Sequence, residues 1–388
     1  MSTTHRKRKV VYIVSHIDKA IGFEWIAAGL DRNRFEISFI LLNDQPSWLA
    51  NHLREKGIPV TEIRPGGKSR WPLVLLKVMR VLRKTSADVI HTHMYVADII
   101  GQLAGMICGI ETRVHTRHSG NENRKYYKRS RINRLIEACC THILAISENV
   151  RNILVHEEKV KPGKIRLIHH GFDLDRFNQV SPEEIAALQL KYNPSGKRPV
   201  LGVVARYSHL KGIQYIIDAF SLLLKIEPNA FLILANAKKG DYKDELALQL
   251  SSLPPDAYCE IVFEHNLFAL YHLFDVYVHV PIDPELEAFG QTYVEALAAG
   301  IPSVFTLSGV AREFIVHEKN ALVVDFQQAA PIYESIQRLL TDQGLRESMI
   351  KQGQSDVRIM FSLKEMIRKL EELYEEGARR KTEERKGS

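Results

Sequence analysis

Cysteine is scarce in this sequence and long apolar runs are missing. Only four cysteines occur in 388 residues (Cys108, Cys139, Cys140, Cys259), and none stands at metal-ligand spacing. Free thiols in a reducing cytoplasm are the simplest account of them. The best candidate for a membrane span, Ile99 to Ile110, contains Gln102 and falls short of the roughly 18 apolar residues a spanning helix needs. The N-terminus, MSTTHRKRKVVYIVS, is basic, but the apolar run after it is short, strand-like and without a cleavage site, so no signal peptide is expected. Apolar residues at 45% and charged residues at 26% exclude a largely disordered or low-complexity chain. Charge of one sign is not dominant either. Lys plus Arg is 53 and Asp plus Glu 46, a net +7 that fits an anionic small ligand, an anionic membrane surface or a nucleic acid without choosing among them.

What is present is an alternation of short, β-branched apolar runs with longer helical-period runs. The first half offers strands at Val10–Ser15, Phe35–Leu42, Val89–Thr92, Arg113–Thr116, Ile143–Ser147 and Ile165–His169, with helical patterns such as Pro72–Lys84 and Met94–Cys108 between them. Near-continuous apolar strands suit a parallel sheet covered on both faces. A polar, Pro-containing stretch from Asn178 to Arg198 reads as a linker with a short helix. The alternation then restarts with strands at Pro199–Arg206, Phe231–Ala235, Ile261–Phe263, Val276–Val280, Ser303–Thr306 and Ala321–Val324. The expectation is α/β with two doubly wound domains, at 1–178 and 195–360, followed by a C-terminal helix and charged tail at 361–388. Ligands of such sheets bind beyond the carboxyl ends of the strands, so residues just after strands carry the functional argument.

Three segments stand there. In GVVARYSHLKGIQYIIDAF, Arg206 ends a strand, Lys211 follows five residues later, and Gly212 opens an amphipathic helix. Two cations beside free helix N–H groups make a diphosphate site, although two ordinary surface charges would read the same way. In PELEAFGQTYVEALAAGIPSVF, Glu287 and Glu295 are eight apart and bracket Phe289 and Gly290, with a helix from about Gly290 to Ala299 that Gly300 stops. Eight residues place two helical side chains on nearly the same face, where carboxylates can accept from paired sugar hydroxyls. In VHTRHSG, His118 follows a strand, and His91, His93 and His115 lie nearby. A zinc site is disfavoured there, because no carboxylate or cysteine stands at ligand spacing and alternate strand residues share a face for packing reasons alone.

These segments, with IRLIHHGFDLDRF (Ile165–Phe177), resemble glycosyltransferase family 4, the retaining glycosyltransferases of GT-B fold, over most of the chain from Val89 to Val324. The resemblance implies two Rossmann-like domains facing across a cleft, with the C-terminal helix returning to the first. It implies that Glu295 binds the ribose of a nucleoside-diphosphate sugar and that Glu287 touches a hydroxyl of the donor sugar. Ala288, Phe289 and Gly290 line that donor site, the last two through backbone N–H groups. Arg206 and Lys211 hold the diphosphate, and His118 sits by the reacting sugar. It implies no metal and no cofactor, the nucleotide sugar being a substrate, and an acceptor that is a saccharide or lipid-linked. On the acceptor side stand Gly22, Lys68 and Arg70, in the loops SHIDKAIGFEW and GGKSRW. Where the family shows a Gly-Gly loop after the first strand, this chain has only Gly22; the usual Gly between Glu287 and Phe289 is Ala288. A basic, aromatic run (Arg124, Lys125, Tyr126, Tyr127, Lys128, Arg129, Arg131, Arg134) suits either a solvated helix or peripheral contact of a cytoplasmic protein with an anionic membrane. Nucleic acid is disfavoured by the mild charge and the missing motifs. A GT-B nucleotide-sugar 2-epimerase and a non-catalytic nucleotide-sugar-binding protein remain as alternatives.

Overall fold

The computed structural model describes residues 6–119 and 131–386, with side chains for 6–119 and 132–376. Arg124 to Arg129 of the basic run lie outside the described residues, as does the side chain of Arg131; Arg134 is exposed on the helix Arg131–Cys139. The chain divides into two compact units, Met1–Phe172 with Leu363–Ser388, and Asp173–Ser362.

The first unit is built on seven parallel strands: β1 (Arg8–Ser15), β2 (Phe35–Leu42), β3 (Val60–Glu62), β4 (Val89–His93), β5 (Thr112–Arg117), β6 (His142–Ala145) and β7 (Ile165–Leu167), in the order β3-β2-β1-β4-β5-β6-β7. The second has six: β8 (Val200–Val204), β9 (Phe231–Ala235), β10 (Tyr258–Ile261), β11 (Val276–His279), β12 (Ser303–Phe305) and β13 (Leu322–Val323), in the order β10-β9-β8-β11-β12-β13. Both sheets reverse their winding once, between β1 and β4 and between β8 and β11. That is where loops diverge and a crevice forms at the carboxyl ends.

Burial explains why these segments are strands. Val10 to Val14 and Val200 to Val203 are buried without interruption, so a run apolar on both faces has no amphipathic alternative. Between strands, the helix Ile213–Leu224 inserts Ile213, Ile216, Ile217, Phe220 and Leu223 into the second core. Each such side chain contributes about 2 kcal/mol relative to exposure. The C-terminal helix Leu363–Lys386 belongs to the first unit. Its Leu370 and Leu373 are buried, Glu371 pairs with Arg34 at 2.8 Å, and the Tyr374 hydroxyl meets His91 Nδ1 at 2.7 Å.

Several elements depart from the sequence expectation. β7 stops at Leu167 and β8 at Val204, so Arg206 lies in the loop after its strand rather than ending it. β3 was not foreseen: at three partly polar residues it pairs only along the outer side of β2, where burial leaves little apolar signal. β10 lies three residues before the anticipated Ile261–Phe263, because Val262 and Phe263 turn outward while Tyr258–Ile261 registers against Leu232–Ala235. The strand anticipated at Ile143–Ser147 stops at Ala145, since Ser147 caps the helix Glu148–Asn152 by accepting the Val150 N–H at 3.2 Å. No described helix is long and apolar enough to cross a membrane. All four cysteines are free.

Candidate active site

The winding reversal of the second unit is shaped by backbone contact. Lys211 ends the loop after β8, and Gly212 at φ +70° starts the next helix. A Cβ on Gly212 would stand 1.9 Å from the Val280 carbonyl oxygen just beyond β11, so only glycine lets the two loops approach this closely. The Ile282 N–H donates to the Leu210 carbonyl at 3.1 Å and locks the approach.

Across that junction Lys211 Nζ lies 2.6 Å from Glu287 Oε1. The same oxygen lies 3.2 Å from Nε2 of His279, the last residue of β11. All three side chains are nearly withdrawn from water, at 12%, 9% and 3% exposure. Burial alone would raise the Glu287 carboxyl, but His279 and Lys211 overcome it and hold the group at about 2. It is therefore ionised at any physiological pH. Burial pulls His279 below the ordinary imidazole value in spite of Glu287 beside it, so it faces the carboxylate as a neutral donor. Arg206 follows β8 on the same loop as Lys211 and is exposed.

Glu287 and Glu295 do not share a helix. The helix runs Gln291–Ala298, so Glu287 stands in the loop before it, and the loop rather than helical spacing sets its direction. The Glu287 N–H donates to Ser308 Oγ at 3.1 Å, and that hydroxyl donates to the Asp283 carbonyl at 2.8 Å. Gly290 sits at φ +89°, where a Cβ would press on the Tyr293 ring at 2.6 Å; the glycine serves the backbone and the packing of that ring. Glu295 is half-buried inside the helix and accepts from the Tyr271 hydroxyl at 2.8 Å. Burial raises its carboxyl to about 7, only partly offset by Tyr271, so near neutrality it is poised between acid and carboxylate. Ala288 is half-buried and Phe289 buried beside the Phe361 ring.

In the first unit the carboxyl ends gather imidazoles. His93 Nδ1 lies 2.9 Å from His118 Nε2, the His118 ring stacks on His170 at 5.7 Å, and Tyr12 stacks on His93 at 5.4 Å. Burial, with smaller contributions from neighbouring histidines, lowers His118 to about 4 and His170 to about 3. Beside His118 a cavity of about 180 Å³ is lined by Tyr95, Asp98, His115, Arg117 and Glu158, among others. Asp98 pairs with His115 at 2.9 Å and Glu158 with Arg117 at 2.5 Å. Gly22 is half-buried in the helix Ile21–Gly29. Lys68 and Arg70 are exposed in the turn before the helix Trp71–Thr85.

Of the residues the sequence singled out, Lys211 and Glu287 are in direct contact, Arg206 shares the Lys211 loop, and Glu295 stands one helical turn into the adjoining element. His118, Gly22, Lys68 and Arg70 belong to the other unit. Sequence reasoning passed over His279 and Tyr271, since a histidine and a tyrosine in apolar runs look like core. The pattern His91-x-His93 is visible in the sequence, whereas His170, stacked on His118, stands 52 residues from it and carries no signal there.

The comparisons with known proteins agree with this architecture. The family model described as Glycosyl transferases group 1 matches residues 185–356, and the one described as Glycosyltransferase Family 4 matches residues 25–176. The uncharacterized glycosyltransferase MJ1607 of Methanocaldococcus jannaschii is 25% identical over 88% of this chain and 90% of its own length. The capsular polysaccharide biosynthesis glycosyltransferase CapM of Staphylococcus aureus is 23% identical over 77% and 80%. Among solved structures, Anabaena Alr3699/HepE in complex with UDP and glucose superposes with a TM-score of 0.80 at 20% identity, covering 95% of this chain and all of that one. At that identity the likeness speaks for the fold.

Proposed function

The chain belongs to the family 4 glycosyltransferases of GT-B fold, and from that premise we propose that it moves a hexosyl unit from a nucleoside-diphosphate sugar to a saccharide or lipid-linked acceptor, with retention of configuration and without a metal ion. The pathway we infer is cell-surface polysaccharide or glycolipid synthesis, in keeping with the capsular relative.

The observation that carries this reading is the buried Lys211–Glu287 contact where the second sheet reverses its winding. A cation and an ionised carboxylate at one end of a parallel sheet match the two ends of a sugar diphosphate. Lys211 and Arg206 hold the phosphates and neutralise the charge that grows as the bond from the anomeric carbon to the phosphate oxygen breaks. Glu287 is too acidic to supply a proton at neutral pH, so it accepts hydrogen bonds from the donor sugar's hydroxyls. Ala288, Phe289 and Gly290 line that sugar's place. Glu295 in its carboxylate form accepts from the ribose hydroxyls. His118, neutral at physiological pH, hydrogen-bonds the reacting sugar. The acceptor oxygen attacks the face the diphosphate leaves, and its proton passes to the departing phosphate. Gly22, Lys68 and Arg70 serve the acceptor side.

A lipid-linked acceptor brings the first unit to the inner, anionic face of a membrane. The helix Trp71–Thr85 suits that surface: Leu73, Leu76, Lys77, Arg80, Arg83 and Lys84 all point outward, and the segment 68–85 contains no acidic residue. A thermal-shift screen of UDP-, GDP- and ADP-sugars tests the reading, since a true donor raises the unfolding temperature by mass action. Stabilisation by one nucleotide class, followed by transfer with retained anomeric configuration in the presence of a chelator, is expected. No response to any of them, or loss of transfer with the chelator, would overturn it.

A further inference from the structure

Two donors converge on one oxygen in the second unit. Glu287 Oε1 accepts from Lys211 at 2.6 Å and from His279 Nε2 at 3.2 Å. An anionic carboxylate can only accept, so Nε2 of His279 carries the hydrogen and Nδ1 keeps a lone pair. That Nδ1 is buried with no hydrogen-bond partner among the described residues. A buried polar atom left unpaired costs about 1–3 kcal/mol, and a leucine in its place would avoid that cost. His279 also contacts the Tyr293 ring edge-on at 4.7 Å, which fixes the plane of the imidazole against the helix Gln291–Ala298. The fold therefore tolerates the cost of an unpaired nitrogen at a residue whose other nitrogen bonds Glu287.

The consequence concerns Lys211. In the free protein its charge is matched by Glu287. When a diphosphate arrives, the lysine must turn toward the phosphates, and a carboxylate at 9% exposure would lose its cation. Breaking a buried pair by removing one partner is costly because the remaining charge is stranded. We propose that His279 is a positioning residue that keeps the Glu287 carboxylate hydrogen-bonded and in place while Lys211 is handed from it to the donor's diphosphate. This rests on the reading of Lys211 as a diphosphate ligand.

The exchange is balanced. No bond to carbon or phosphorus changes, Lys211 keeps its proton, and Glu287 stays anionic and keeps the bond from His279. The groups facing Glu287 include Lys211 from the loop after β8, His279 from β11, Tyr293 from the following helix and the Ser308 hydroxyl at its backbone N–H. Tyr293 is pushed well above the ordinary phenol value by burial and stays neutral. Without His279, Glu287 loses this donor as well as Lys211, which favours uptake of a proton by the carboxylate.

The test uses whichever of UDP, GDP and ADP the full-length protein binds most tightly, followed by calorimetry in buffers of different ionisation enthalpy at about pH 6, below the ordinary imidazole value. His279→Leu is expected to weaken binding about tenfold, equivalent to 1.4 kcal/mol, and to take up more protons per ligand bound than the wild type. His279→Gln, whose amide N–H can replace the donor, restores both. A leucine variant with wild-type affinity and wild-type proton uptake would overturn the proposal. So would a glutamine variant no better than leucine. Nitrogen-15 spectra of the wild-type histidines give a reading independent of any variant's folding: His279 should be the neutral Nε2–H tautomer at neutral pH, and the Nδ1–H tautomer would contradict it. Lys211→Ala separates the two claims. If it weakens binding while His279→Leu does not, only the role of His279 falls; if it binds as the wild type does, the diphosphate reading itself fails.

Discussion

At the carboxyl ends of its sheet the first unit gathers imidazoles, with charged side chains beside them paired as Asp98–His115 and Arg117–Glu158, whereas the second gathers a lysine, an arginine and two carboxylates. The windings are alike, with both sheets reversing beside their first strand. The electrostatic outcomes are opposed. Burial in the first unit drives His91, His93, His118 and His170 to the neutral form. In the second, a cation and a donor hold Glu287 ionised against the same burial. One rim thus presents neutral imidazoles and the other an ionised carboxylate held by a cation. The fold supplies the crevice, and the side chains at its rim decide what enters.

The sharpest way to break this contrast is Lys211→Ala. It removes a diphosphate ligand and strands a buried carboxylate, so turnover should fall by about 10²–10³ and stability by about 3 kcal/mol, read from steady-state rates and denaturant unfolding. Near-wild-type values for both would place the charged site elsewhere. His118→Ala acts on the neutral side. Transfer should fall about 10²-fold while nucleoside-diphosphate affinity holds, and an equal loss of affinity would erase the distinction between the units.

Acid should separate the units with opposite signs. His118 and His170 bind protons less readily folded than unfolded, so stability from the first unit is full above about pH 6.5 and is lost as pH falls toward their values of about 4 and 3. Glu295 at about 7 is raised above its unfolded value of about 4.3, so its burial destabilises increasingly as pH rises from about 4 to 7. Hydrogen exchange resolved by region should show the first sheet opening more readily at pH 5 than at pH 7. Glu295→Gln should gain about 2 kcal/mol over the wild type at pH 8 and little at pH 4. A parallel response of both sheets would contradict the assignment. Lys68→Ala and Arg70→Ala should be the mildest changes, within about 0.5 kcal/mol in stability, with any kinetic effect confined to the acceptor KM.

Legibility in the sequence followed burial. Phe35–Leu42 and Phe231–Ala235 are strands over the expected bounds because their apolar runs admit no other buried arrangement. β3 escaped because an outer strand need not be apolar, and β10 was expected three residues too late because Val262–Phe263 is a pair of exposed apolar residues that mimics a core strand. The candidate site was legible where charge breaks an apolar run, at Arg206, Lys211, Glu287 and Glu295. It was not legible where function hides among core-like residues. Nothing in VYVHVP marks His279 as more than packing, and the link from Tyr271 to Glu295 spans 24 residues. Gly290 and Gly212 were visible as glycines, but their reasons, a ring and a carbonyl at close quarters, exist only in three dimensions.

The central claim is that the second unit grips the charged end of a nucleotide sugar and the first does not. Calorimetric titration of UDP, GDP and ADP into the wild type, Lys211→Ala and His118→Ala tests it most directly. The account predicts that one nucleotide binds the wild type and His118→Ala alike and binds Lys211→Ala at least tenfold more weakly. Equal affinity in all three proteins, or a loss confined to His118→Ala, would contradict it.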